Sequence, residues 1–176
     1  MKDILEEKIK SAGFSHYKAI DISQIVFERT LRQSCEMNSC GKYGKCYSCP
    51  PYVGEIDDCI AKVKSYRKGY IFQYVGQLED SYDFEGMMRV QDEFGQLVRD
   101  FRSELKDVDC LFLGAGPCTL CKECNFLNGK PCRQPALMIS SVEAHGIYVN
   151  PTLLNVGLKY NNGESTVSYV GIVMIK

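Results

Sequence analysis

Residues 70–75 read YIFQYV, residues 87–105 read MMRVQDEFGQLVRDFRSEL and residues 108–113 read VDCLFL, and these stretches decide the fold. The first is dense in β-branched and aromatic residues and predicts a strand. In the second, Met87, Val90, Phe94, Leu97, Val98, Phe101 and Leu105 recur at the spacing of one buried helix face. The third, ended by Gly114-Ala115-Gly116-Pro117, predicts a second buried strand. Strand, helix and strand in that order predict a right-handed βαβ crossover with the two strands as parallel neighbours.

Working outward, Ile4, Leu5, Ile9 and Ala12 predict a first helix over Asp3–Ala12, stopped by Gly13. A short strand follows at Tyr17–Ile20. A second helix is expected from Asp21 or Ser23, carrying Ile22, Ile25, Val26 and Leu31. Ile56, Cys59, Ile60 and Val63 form a further amphipathic stripe. Asn161-Asn162-Gly163 is a turn signal leading into the β-rich run Thr166–Ile175. No repeat and no Pro/Gly/Ser linker divides the chain. The expected architecture is one α/β domain over residues 1–176, a small mixed sheet with flanking helices and cysteine loops at 35–52 and 114–135.

Lys and Arg total 21 against 22 Asp and Glu, so the near-neutral chain carries no electrostatic footprint for nucleic acid or an anionic membrane. The opening MKDILEEKIK is charged throughout and no apolar run spans a bilayer, so the expected location is cytoplasmic. Ten cysteines stand out in such a chain. In a reducing compartment, clustered cysteines read as metal ligands before disulfides.

Eight of the ten fall into two sets. The first is Cys35, Cys40, Cys46 and Cys49, closed by Pro50-Pro51; the second is Cys118, Cys121, Cys124 and Cys132. Four thiolates suit either a 4Fe–4S cluster or a structural zinc ion. Zinc usually draws on two separated Cys-x2-Cys knuckles, whereas a loop wrapping a cluster offers three cysteines in quick succession. Cys118-x2-Cys121-x2-Cys124 has the second form, although its fourth cysteine comes later than in a ferredoxin run. The first set is looser and suits zinc or a second cluster.

The segments CGKYGKCYSCPPY (40–52), LGAGPCTLCKEC (113–124), and PCRQP followed by SVEAHGIYV (131–149) resemble a prokaryotic family of predicted metal-binding proteins, domain of unknown function 2284. The resemblance runs through nearly the whole chain in one order. It implies metal binding, with iron–sulfur as the expected metal, in a soluble intracellular protein, and it implies no reaction.

Clusters with four cysteine ligands have no open iron and favour electron transfer or a structural role over Lewis-acid chemistry. The leading expectation is therefore two 4Fe–4S clusters exchanging electrons with a partner protein. The alternatives are a cluster-dependent reductase of a small molecule held against the sheet, and a zinc-stabilised interaction module. A radical-SAM enzyme is disfavoured, because the Cys-x3-Cys-x2-Cys signature and a barrel's worth of βα units are absent.

Other residues carry blander expectations. Cys59 on its helix stripe and Cys110 in a strand read as small core hydrophobes, and serine at either position should cost more than alanine. Gly114 and Gly116 read as a turn delivering Cys118 rather than a nucleotide loop. Glu143 is either a catalytic carboxylate or, standing three residues after Ser140, the partner in a capping box, the favoured reading. Arg133 beside Cys132 is either a cation near the metal or an exposed side chain. Tyr43, Tyr47 and Tyr52 are expected to shield the first site from water. His145 reads as a helix-end histidine. Lys62, Lys64, Arg67 and Lys68 form a solvated basic face open to an acidic partner.

Overall fold

The computed structural model describes residues 2–176. In chain order it runs α1 (Lys2–Ser11), β1 (His16–Asp21), α2 (Leu31–Glu36), α3 (Ile56–Lys64), β2 (Lys68–Gln77), α4 (Phe84–Glu104), β3 (Leu111–Gly114), β4 (Ser140–Ser141), α5 (Val149–Asn155) and β5 (Thr166–Ile175), with short 3-10 turns between. The strands form one mixed sheet in the order β1-β2-β5-β3-β4.

The C-terminal strand is the axis of this sheet. Over ten residues β5 pairs antiparallel with β2, from Lys68 opposite Ile175 to Gln77 opposite Thr166. Its other edge pairs antiparallel with β3. Both β2 and β3 therefore run parallel to each other, but they are not neighbours, which corrects the expected adjacent pair. The near-continuous apolar run YVGIVMI (169–175) is what a strand covered on both faces requires, so it takes the centre and α4 crosses over it. Gly171 allows this at close quarters: a Cβ there would meet the Phe72 ring and come within 2.8 Å of Leu113 O. Two residues of β4 add a parallel edge on β3.

Helices cover both faces. Leu5 and Ile9 of α1 and Phe94, Val98 and Phe101 of α4 pack on Tyr70, Phe72, Phe112 and Val173. On the opposite face Val63 of α3 and Leu153 of α5 join Ile71, Leu113, Val170, Ile172 and Met174. Ile4, expected on the buried side of the first helix, is instead half exposed.

The second helix does not start at Asp21. That residue caps only a 3-10 turn, Ile22–Gln24, in a box with the Gln24 side chain. The chain then extends, because Val26 N donates to Thr152 Oγ1 (3.0 Å), Tyr148 N donates to Val26 O (2.8 Å) and Phe27 bridges Ile147. Tertiary partners override the local helix signal here. The strand expected from Val108 begins at Leu111, since Val108 N still closes a turn on Leu105 O.

No helix among the described residues is long and apolar enough to cross a membrane.

Candidate functional site

The first four cysteines leave the last turn of α2 and wind through a tight loop. Cys35 lies on α2 itself and is half-buried, Cys40 is exposed, and Cys46 and Cys49 are buried. Asn38 and Gly41, both with positive φ, reverse the chain, and Asn38 Oδ1 accepts from Tyr43 N at 3.0 Å. Gly44 N donates to Pro50 O (2.8 Å), closing the loop around Cys46–Cys49. The Cys49 thiol donates to Cys46, and Ser48 adds bonds of its own, so the Cys46 thiol is pulled down to about 6 while the Cys49 thiol is pushed up.

The second loop leaves the end of β3 through Gly116, in the left-handed region, and delivers Cys118 as the sequence reading expects. Cys124 precedes a 3-10 turn over Asn125–Asn128. Asn125 Nδ2 donates to Pro131 O (2.8 Å) and Arg133 Nη1 donates to Glu123 O (2.7 Å), drawing Cys132 back toward the other three. Cys118, Cys121, Cys124 and Cys132 all line one cavity of about 30 Å³. No histidine or carboxylate lines it; beside the four thiols stand Met138 and the neutral side chains of Tyr47, Ser48, Asn125 and Gln134. Arg133 lines it as well.

Ser48 joins the two loops. Its hydroxyl accepts from Cys118 N (3.1 Å) and lies 3.5 Å from Cys46 Sγ, while its carbonyl accepts from Ser140 Oγ (2.7 Å). Tyr47 OH donates to Lys130 O (2.9 Å), and Phe126 packs between Tyr47 and Tyr52. Two of the expected tyrosines thus seal the seam between the loops, and Tyr43 lines the cavity of the first set. Neither Ser48 nor Phe126 carried a sequence signal for this role.

A separate cavity of about 580 Å³ opens on Cys35, Cys40 and Cys49. Cys46 is not among its lining residues and faces Cys49 and Ser48 instead. Glu143 lines the cavity, which corrects its assignment to a capping box. Ser140 is engaged with Ser48, and Ala144 N is capped by Ser141 Oγ (3.0 Å). Burial raises the Glu143 carboxyl above the usual carboxylate range.

His145 lies away from both cavities. It is buried, its Nδ1 paired with Ser141 O at 3.0 Å, and burial pulls it down to about 4. Cys59 is buried on α3; Cys110 is half-buried and stands one residue before β3, not within it. Each meets a buried arginine that the sequence reading missed. Arg32 Nη2 reaches Cys59 Sγ (3.5 Å) and Ala144 O (2.8 Å), and Nη1 reaches Gly54 O (2.9 Å). Arg102 Nη1 reaches Cys110 Sγ (3.7 Å), and Nη2 reaches Ala136 O at the end of the second loop. Both Nε atoms are buried without a hydrogen-bond partner. Among the described residues neither arginine has a carboxylate partner. The exposed run at Lys62, Lys64, Arg67 and Lys68 is solvated, with Lys64 set over the Phe27 ring.

Among the described residues no group of three or more His, Cys, Asp or Glu is drawn together tightly enough to hold a single metal ion. No curated protein and no solved structure matches the chain. Residues 18–175 match a family described as predicted metal-binding protein (DUF2284), so with both cysteine loops inside the matched span the chain belongs to that family.

Proposed function

We propose that the protein holds two 4Fe–4S clusters, one on each cysteine set, and passes electrons between them and a partner protein in the cytoplasm. The observation that carries this reading is the second cavity, where all four thiols of one set meet with no histidine or carboxylate among them. A zinc ion needs its four donors within about 2.3 Å, whereas a cluster offers each thiolate its own iron and accepts a wider set. The absence of any tightly gathered trio among the described residues fits the wider requirement. Arg32, whose charge acts on the Cys35 thiol, supports the same reading. A buried guanidinium without a carboxylate is costly, and a thiolate-held cluster nearby supplies the missing negative charge. The Ser48 segment, bonded to both loops, gives the clusters a short shared wall, and the exposed basic face near Lys62 offers an acidic partner a docking surface.

The cavity on the first set favours a second reading, reduction of a small molecule in place.

Cys124→Ser tests the cluster assignment. Serine is a harder, poorly ionised donor, so the second cluster should become labile while the first persists. Iron and sulfide should fall to about half the wild-type content. Full retention, or loss of all metal from a folded chain, would contradict two independent sites.

A further inference from the structure

We propose that the cavity beside Cys35, Cys40 and Cys49 binds a flat, largely apolar organic molecule that is uncharged or singly positive, and that it rejects phosphorylated and carboxylate-bearing ligands. The inference deepens the second reading above by naming a substrate class, and it rests on that reading only for the ligand's purpose. The selectivity belongs to the side chains.

Volume comes first. The second set lines about 30 Å³ with all four of its cysteines, whereas three of the first set, Cys35, Cys40 and Cys49, open on about 580 Å³. The larger figure lies within the range of about 300–1,000 Å³ usual for small-molecule sites.

The lining then selects. Tyr43, Tyr148, Tyr160 and Tyr169 are among its lining residues, together with the aliphatic Leu31, Ile147, Val149 and Val170. Tyr169 is held in place, its hydroxyl donating to Met87 O (3.2 Å) and its ring stacked on Phe94 at 5.7 Å. Such rings accept flat apolar molecules and attract a cation through their faces. No lysine, arginine or histidine lines the cavity, and Glu143 is its one carboxyl group. The nearest buried cation, Arg32, is turned away, its donors committed to Gly54 O, Ala144 O and Cys59. An anion entering here would lose its hydration with no cationic side chain in the lining to offset it.

Three naphthalene probes of one shape separate the charges: naphthalene-2-methanol, (naphthalen-2-ylmethyl)trimethylammonium and 2-naphthoate. They are titrated into anaerobically purified, metal-bearing protein and followed by probe fluorescence. The neutral and cationic probes should bind, with 2-naphthoate at least about tenfold weaker. Glu143→Gln removes the one carboxyl able to ionise beside a bound cation, so it should weaken the cation about three- to tenfold and leave the neutral probe unchanged. Asn150→Trp, a substitution at an exposed position on the rim, should weaken both without touching the core. Binding of 2-naphthoate as tight as the neutral probe, indifference to both variants, or no binding at all would overturn the proposal. Metal is assayed in the same samples. Zinc-bearing protein that sorts the probes upholds this site and refutes the iron–sulfur reading; iron-bearing protein that sorts none does the reverse.

Discussion

At Cys59 the sulfur has Arg32 Nη2 at 3.5 Å and the carbonyls of Val53 and Gly54 at 3.6 and 3.8 Å. A serine hydroxyl there has partners, so the order expected from the sequence reverses. Cys59→Ser should be more stable than Cys59→Ala by about 1 kcal/mol in urea denaturation. Neither variant should lose metal, because Cys59 lines neither cavity. The helical stripe revealed the burial of Cys59 but not its arginine, because Arg32 comes from a separate short helix. His145 gives a pH test. Its imidazole is fully buried and titrates at about 4 against an ordinary 6.5, burial being the main cause. Between those values the unfolded chain binds the proton and the folded chain does not, so stability falls as pH drops through this window. The loss should approach about 3 kcal/mol by pH 4 and be absent above pH 6.5. Asn at position 145 retains a donor for Ser141 O but cannot titrate. The difference in pH slope between wild type and His145→Asn, measured by chemical denaturation, should isolate this contribution; equal slopes would refute it.

Among the elements, α4 and four of the five strands were legible because their patterns are local, whereas the two-residue β4 has no pattern to read. The stripe from Met87 to Leu105 and the run Thr166–Ile175 each announce burial from within a single segment. That β5 slips between β2 and β3 was not legible, since pairing partners are far apart in sequence and both orders satisfy the same apolar patterns. The extended stretch at Ile25–Phe27 was hidden for the same reason: its partners are Thr152, Ile147 and Tyr148. This division of elements sets the reach of Cys124→Ser. The 114–135 loop holds few regular hydrogen bonds and takes its order from whatever its thiols bind, whereas α4 and β3 rest on Phe94, Phe101 and Phe112. Hydrogen exchange in that variant should quicken across the second loop and leave α4 and β3 protected. Uniform loss of protection would mean that the metal supports the whole fold.

Across the whole molecule, the fold links the two cysteine sets through one residue, Ser48, and leaves a wide cavity on the first set and a narrow one on the second. Cysteine spacing revealed the two sets. Their adjacency, the buried arginines and the release of Glu143 into the cavity depend on contacts between segments about a hundred residues apart, which spacing does not encode. The central claim, two clusters side by side, is met most directly by one measurement: anaerobic iron, sulfide and zinc quantitation joined to electron paramagnetic resonance of the dithionite-reduced protein. The account predicts about eight irons and about eight sulfides per chain, with the broadened spectrum of two interacting centres. A colourless chain with stoichiometric zinc and no sulfide, or about four irons giving a single isolated signal, would contradict it.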